Sequence, residues 1–299
     1  MPILCALVGA TGVGKTELAI MLAKHFNAEI ISLDSRQIYK GFCIGTAQPS
    51  EEYRQQVIHH FVNFLSPTER YSAGRFCKEA KALVETHPEK TYILVGGTGL
   101  YLQSLIGGLP ELPVISESIR SALLIRLKNE GLVTLYEEAC ATDPAAMSNI
   151  PANDVQRILR TLEICMQTGK KYSEIRQHRV GGLGSIKTFW LNRPRDNLYA
   201  AIDARVVNMV AAGWITEVEN LLKMVPGNAP AWQSLGYREW ADHLCGKKDF
   251  TEVLHFVQQE TRRFAKRQLT WFRHQTEATQ VNMDGFMPVV LEEILTQLS

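Results

Sequence analysis

One run in the chain has the residue types and spacing to bind polyphosphate. Gly9-Ala10-Thr11-Gly12-Val13-Gly14-Lys15-Thr16 fits G-x-x-x-x-G-K-[ST] in full. The glycines let successive backbone N–H groups curl around an anion. Lys15 can reach a terminal phosphate, and the Thr16 hydroxyl can hold Mg2+. An apolar run, Ile3 to Val8, precedes the loop, and helical spacing from Thr16 to His25 follows it. The loop therefore opens a helix, where aligned peptide dipoles favour negative charge. This pattern predicts a polyphosphate ligand. It specifies neither ATP nor hydrolysis, although nucleotide-binding NTPases and kinases are the default class.

Such an enzyme needs a carboxylate at a strand end. Ile30-Ile31-Ser32-Leu33-Asp34 is the only apolar strand-like run that ends in Asp. Asp34 has three readings: a Mg2+ ligand, a general base beside the phosphates, or a loop-capping carboxylate. Asp34-Ser35-Arg36-Gln37 sets four polar side chains directly after a buried strand, which favours a polar ligand. Thr98 lies in Gly96-Gly97-Thr98-Gly99, where glycines allow close backbone approach. It reads as a ligand contact or as the cap of the next helix.

These residues need a rigid frame. Short apolar runs at Ile3 to Val8, Glu29 to Leu33 and Thr91 to Val95, with a weaker one at Val57 to Leu65, alternate with helical patterns such as Ala73 to Glu85. That alternation predicts an α/β fold, a P-loop NTPase-like parallel sheet flanked by helices. From about Pro110 the pattern becomes helical, over Ser118 to Glu130, Thr134 to Thr142 and Asp154 to Thr168, with no strand before Gly181-Gly182-Leu183-Gly184. Ile186 to Leu191 reads as a strand again, and the chain from Arg195 onward reads as helical. The expected organisation is a discontinuous catalytic core, 1–110 and 185–299 with its C-terminal helices, carrying an inserted helical domain at 111–184.

Composition narrows the classes. With 45% hydrophobic and 21% charged residues, collagen, coiled coil and disorder are excluded. No run is long and apolar enough to span a membrane, and the N-terminus lacks a basic leader, so no membrane association and a cytoplasmic location are expected. Lys+Arg 32 against Asp+Glu 31 supplies no strong overall field, so a nucleic-acid partner needs a local patch. The 6 cysteines include no C-x-x-C pair, so reduced thiols are expected rather than a zinc site or disulfides. Thr261 to Arg273 interleaves Arg262, Arg263, Lys266, Arg267 and Arg273 with Phe264, Trp271 and Phe272. Helical spacing directs Phe264, Leu269 and Phe272 to the core and the basic face toward phosphates.

Taken in order, the motifs resemble those of the bacterial tRNA dimethylallyltransferases (tRNA isopentenyltransferases). The resemblance runs through the phosphate loop, Ile30 to Gly41, Ile44 to Ser50, Val95 to Tyr101, Asn153 to Glu163, Leu235 to Glu239 and Ala265 to Arg273, essentially end to end. It implies transfer of the dimethylallyl group of dimethylallyl diphosphate to N6 of an adenine. That adenine lies immediately 3′ of the anticodon in tRNAs reading codons that begin with U. The loop, Gly9 to Thr16, with Mg2+ at Thr16, then holds a leaving diphosphate. Asp34 becomes the general base, with Lys15 and Thr98 as further catalytic groups. The tRNA contacts implied are Asp34, Ser35, Arg36, Gln37 and Thr98 in the core. In the insertion they are Arg120, Gln156, Arg157, Ile158, Leu159 and Arg160. The expected partner is the anticodon stem-loop, clasped by a monomer. Two positions depart from the family pattern. Pro151-Ala152 places Pro one residue early before Asn153-Asp154, and Arg36 stands where an apolar residue is common.

Overall fold

The structure, a computed structural model, describes residues 2–298. The chain divides into two compact units. One runs to Ile106 and resumes at Leu183; the other is Gly107–Gly182.

The larger unit begins with β1 (Ile3–Gly9), α1 (Lys15–His25), β2 (Ala28–Leu33), α2 (Glu51–Gln56), β3 (His59–His60), α3 (Ala73–Thr86), β4 (Thr91–Gly96) and α4 (Gly99–Gly107). In the smaller unit, β5 (Leu109–Pro110) is followed by α5 (Glu117–Thr142), α6 (Pro144–Met147), α7 (Val155–Thr168), α8 (Tyr172–Ile175) and β6 (Arg179–Val180). The larger unit then continues with β7 (Thr188–Asn192), α9 (Arg195–Ala211), α10 (Trp214–Met224), α11 (Tyr237–Leu244), α12 (Phe250–Gln275), β8 (Thr279–Asn282) and α13 (Met287–Leu298).

The large sheet has the order β3-β2-β4-β1-β7-β8, and every pair is parallel. Its central strands are apolar along their length because helices cover both faces. The register aligns the carboxyl ends. Val8 lies opposite Gly96, Leu33 opposite Gly96, and Gly9 opposite Leu191. The segments leaving β1, β2 and β4 are thereby brought to one edge, where ligands bind in open α/β sheets. Cys5, Leu7, Ile30 and Ile93 pack under α1 with Leu18 and Leu22 in one core.

A second core lies under the segment after β2. Phe42 packs against Trp232 and Tyr237, with ring centroids 5.4 and 4.7 Å away, and Trp214 and Trp240 extend the cluster. This cluster carries the loop from Asp34 to Ser50, which has almost no regular structure of its own.

The smaller unit has its own core of Leu123, Leu135, Ala139, Met147, Ile158 and Leu162. The two helices expected at 118–130 and 134–142 form α5, broken at Gly131, whose φ of 84° is open to glycine at no steric cost.

The structure corrects the sequence reading in three places. The Val57–Leu65 strand shrinks to two residues, because Phe61 and Asn63 adopt left-handed backbone (φ 61° and 53°) and turn the chain out of the sheet. The insertion is not free of strand, since Leu109–Pro110 and Arg179–Val180 pair antiparallel. The C-terminal region is not wholly helical either. Thr279–Asn282 adds an edge strand of four residues, only one of them buried, too short and too polar to show a period. Among the described residues, no single helix is long and apolar enough to cross a membrane.

Phe42 is fully buried among aromatic rings that cannot collapse onto the space it leaves. Phe42→Ala is expected to lower the unfolding free energy by about 3–5 kcal/mol in equilibrium urea denaturation. A loss below about 1 kcal/mol would show that this cluster does not anchor the loop.

Candidate active site

The phosphate loop leaves β1 and turns into α1 through Gly12 (φ 80°) and Gly14 (φ 102°), both in left-handed backbone. Gly14 caps α1 without any side-chain hydrogen bond. The first N–H groups of the helix therefore lack an intrahelical or capping partner, the arrangement that receives an anion. Val13 is buried and serves as the anchor of the loop, beneath the exposed turn.

Lys15 folds back over this loop. Its Nζ donates to the carbonyls of Gly9 (3.0 Å) and Ala10 (2.7 Å). Burial pushes its pKa down to about 7; the Arg205 guanidinium pushes the same way, and Asp34 opposes both. Arg205 projects from α9, and its Nη1 donates to Thr11 Oγ1 at 3.3 Å. Burial also lowers the Arg205 pKa, against the pull of Asp34. Two cationic groups thus crowd the phosphate loop with one carboxylate near them.

Gln268 of α12 ties the loop to the turn after β4. Its Oε1 accepts from Thr11 N at 2.8 Å, and its Nε2 donates to Gly97 O at 2.9 Å. This amide is buried, and a Cβ on Gly97 would collide with it.

Asp34 follows β2 directly. Its Oδ1 accepts from Arg36 N (2.7 Å) and Gln37 N (3.2 Å), an Asx turn that fixes the carboxylate. The loop-capping reading is therefore part of what Asp34 does. Its Oδ2 has no hydrogen-bond partner among the described residues. Beside it, Thr98 N donates to Leu33 O (2.9 Å), and Thr98 Oγ1 accepts from Ser35 N (3.2 Å). The Thr98 hydroxyl thus braces the Asp34 loop instead of capping α4. Gln37 is held at both ends of its amide: Nε2 donates to Ala47 O (2.8 Å), and Oε1 accepts from Ser32 Oγ (3.3 Å).

The segment from Cys43 to Gly45 is held from α10. Glu217 Oε2 accepts from Cys43 N (3.0 Å) and Ile44 N (2.8 Å), and Oε1 accepts from Tyr237 Oη (2.6 Å). Trp214 packs so closely on Gly45 that any Cβ there would overlap its ring.

These groups border one cavity of about 690 Å3. Thr11, Gly12, Gly14, Lys15 and Thr16 form one wall. Asp34, Ser35, Arg36, Gln37 and Thr98 form another. Arg205, Met209, Trp214, Phe264 and Arg267 complete it. Asp34 and Glu17 are the carboxylates on its lining among the described residues. Phe264 corrects an expectation: it is not core-facing but sits at the cavity with Arg267 over its ring (5.8 Å). Phe272 is buried. Sequence reading had not assigned roles to Arg205, Gln268, Glu217 or Trp214. They lie far along the chain in helices; Gln268 falls within the Ala265 to Arg273 motif, but nothing local says which loop it meets.

No group of three or more His, Cys, Asp or Glu side chains that could hold a metal occurs among the described residues. Thr16 on the cavity lining nevertheless suits Mg2+, which keeps several waters and takes one or two protein oxygens beside substrate phosphates.

In the smaller unit, Asp154 caps α7 by accepting from Arg157 N (3.1 Å). The early Pro151 leaves that cap intact, with Asp154 N donating to Pro151 O. Gln156 is exposed, as is Arg157, which pairs with Asp154 at 3.4 Å. Arg120 (3.4 Å) and Arg160 (3.1 Å) share the carboxylate of Glu163. Ile158 is a correction. Its side chain is fully buried with Leu123 and Leu162, and Leu159 packs against the same cluster, so Ile158 serves packing and not the RNA contact expected of it.

Comparison with known proteins identifies the family of the chain. The sequence profile of the IPP transferase family matches residues 37–275. The tRNA dimethylallyltransferase of Thermomicrobium roseum is 39% identical over 296 residues, covering 97% of this chain and 89% of that protein. That of Syntrophobacter fumaroxidans is 42% identical over 277 residues, 91% of this chain and 81% of its own. Among solved structures, the tRNA isopentenylpyrophosphate transferase of Staphylococcus epidermidis aligns over 100% of this chain and 99% of its own, with a TM-score of 0.70 and 32% identity. A eukaryotic dimethylallyltransferase acting on tRNA aligns over 94% of this chain and 73% of its own, with a TM-score of 0.77 and 29% identity. With the profile spanning most of the chain and relatives matching nearly all of it, this protein belongs to the IPP transferase family of transferases.

Proposed function

We propose that the protein transfers the dimethylallyl group of dimethylallyl diphosphate to N6 of the tRNA adenine immediately 3′ of the anticodon, in tRNAs reading codons that begin with U. The observation that carries this reading is the shared cavity. It sets an uncapped helix N-terminus with Lys15 and Arg205 against Asp34 and Thr98. The first set suits a diphosphate, the second a proton acceptor.

Charge builds on the leaving diphosphate as the allylic C1–O bond breaks. Fixed N–H groups, Lys15 and Arg205 stabilise it in a site partly shielded from water. The bonding pair leaves with the diphosphate oxygen. The N6 lone pair forms the new C–N bond to C1. The N6 proton passes to the unpartnered Oδ2 of Asp34, which the Asx turn holds in place. Bound Mg2+ at Thr16 would neutralise diphosphate charge. The adenine must leave its stack to reach a cavity of this kind. Phe264 and Trp214 supply aromatic faces on the lining, and Arg36 supplies a further cation. Arg120, Gln156, Arg157 and Arg160 lie on the smaller unit, where the exposed Gln156 and Arg157 suit the anticodon stem-loop. One hairpin calls for one clasp, so the working species is a monomer. A free-nucleotide acceptor would give the smaller unit nothing to hold.

The direct test supplies Mg2+ and dimethylallyl diphosphate with unmodified tRNA or AMP in parallel, followed by nucleoside mass spectrometry. A dimethylallyl mass on tRNA adenosine and none on AMP supports the reading. Prenylated AMP, or ATP turnover without transfer, sinks it. Asp34→Asn keeps the shape and removes the base. It is expected to lower kcat by about 10²–10⁴-fold with both KM values little changed. A loss below tenfold would rule out Asp34 as the base.

Lys15 gives a pH prediction. Its folded-state pKa is depressed to about 7, so above that pH the empty protein has released the proton. A diphosphate beside Nζ favours the charged form and restores it. Diphosphate affinity is therefore expected to fall as pH rises above about 7. Calorimetry at pH 8 in buffers of different ionisation enthalpy should show proton uptake that Lys15→Met abolishes. Equal uptake by wild type and variant would contradict this.

A further inference from the structure

Gln268 stands between the phosphate loop and the wall that carries Asp34. It lies on α12, on the same face as Phe264 one turn earlier, and both border the cavity. Its amide is buried and engaged at both ends. Oε1 accepts from Thr11 N at 2.8 Å, and Nε2 donates to Gly97 O at 2.9 Å. Among the described residues no other side chain bonds to both segments.

The bond to Thr11 changes which donors the loop offers. The N–H groups of Gly12, Gly14, Lys15 and Thr16 have no acceptor among the described residues. Val13 N turns back to Ala10 O at 3.4 Å. Thr11 N alone in this turn is taken by a side chain. An anion in a curled backbone turn settles on the N–H groups that point at it and are free. With Thr11 N occupied, a diphosphate is confined to the helix end of the loop. With Thr11 N free, the anion gains a further donor one step towards β1, and a second place to sit.

The other end of the amide ties that register to the opposite wall. After Gly97 comes Thr98, which donates from N to Leu33 O (2.9 Å) and accepts at Oγ1 from Ser35 N (3.2 Å). Ser35 adjoins Asp34. A run of hydrogen bonds thus leads from the phosphate loop through Gln268 to the segment that holds the carboxylate. Gly97 is part of the fit. A Cβ there would lie 2.2 Å from Gln268 Nε2 and leave the amide no room. Gly97 is not in left-handed backbone, so its missing side chain serves this contact and not the local chain path. Transfer is sensitive to the fit, because the reacting C1 and N6 must approach within about 3–3.5 Å and in line.

We infer that Gln268 is a positioning residue for the transfer. By keeping Thr11 N out of the anion nest and holding Gly97 O at its other end, it sets where the diphosphate sits on the loop, and so where C1 stands relative to Asp34. The inference rests on the proposed transfer from dimethylallyl diphosphate. It requires no contact between Gln268 and either substrate. Loss of the amide should therefore misplace the donor without weakening the hold on it.

The test compares Gln268→Ala, Gly97→Ala and the double variant in the full-length protein. Gly97→Ala keeps Gln268 in the chain and pushes its amide aside, so it reports on the same bonds should Gln268→Ala fail to fold. Each single variant is expected to lower kcat on the order of 10²-fold, the cost of about 1 Å of misplacement. The KM for tRNA should stay at the wild-type value. The Kd of inorganic diphosphate, measured by calorimetry, should stay level or tighten, because Thr11 N joins the free donors. In the double variant the new Cβ meets no amide, so kcat should match that of Gln268→Ala instead of showing the product of both losses. A loss of diphosphate affinity that parallels the loss of kcat overturns the inference, since the amide then only keeps the loop folded. A kcat close to wild type in single variants with the wild-type melting temperature overturns it too, as do multiplicative losses in the double variant. Wild-type protein that transfers nothing to tRNA removes the proposed function and this role with it. Wild-type transfer with unaffected variants removes this role alone.

Discussion

The site depends on backbone N–H groups at the start of α1 that the protein leaves unpaired. Gly14 ends the loop in left-handed backbone and carries no side chain to cap the helix. Burying such donors without partners costs free energy, so the fold keeps them at the mouth of a cavity for an anion to satisfy. That arrangement needs the loop to hold its shape while empty. Gln268 supplies the tie by bridging Thr11 N and Gly97 O from α12. The loop after β1 and the turn after β4 are thereby set by a residue more than 170 positions away in sequence.

The charge balance points the same way. Lys15 and Arg205 sit near each other in a partly dry environment, and Asp34 answers them only in part. The cost of burying Lys15, and then of holding Arg205 beside it, is visible in its lowered pKa, and its Nζ takes the loop's own carbonyls as partners. On the proposed reading, a polyphosphate would replace those stand-in contacts with full negative charge, and the electrostatic strain of the empty site would become affinity for the leaving group as charge develops on it.

The wall opposite the phosphate loop is built differently. Residues 34 to 50 have little repetitive structure, so their shape is imposed by packing and side-chain bonds. Gln48 Nε2 donates to the carbonyls of Gln37 and Tyr39, Glu217 gathers the N–H groups of Cys43 and Ile44, and the Trp214 ring fills the space over Gly45 and Gly236. Both glycines are required by that contact, because a Cβ at either would overlap the indole. The aromatic cluster around Phe42 then does for Asp34 what a helix would do in a more regular site: it fixes where the carboxylate points.

Local chemistry made part of this legible in the sequence. The phosphate loop, the buried strands around it and the carboxylate at the end of β2 are contiguous patterns whose physics acts over a few residues. Glycine spacing, apolar runs and a polar cluster after a strand carry that information without the rest of the chain. The α/β class follows from the same alternation. The tertiary structure decided what depends on distant segments meeting. It put Arg205 and Gln268 on the phosphate loop, turned Phe264 from core to cavity, buried Ile158, and added Thr279–Asn282 as an edge strand. No local pattern says which distant partner each of these meets. A helix face is amphipathic whether its polar side meets water, a ligand or another loop, and only packing tells them apart. A four-residue edge strand gains its stability from the ladder it joins, so its own residues do not announce it.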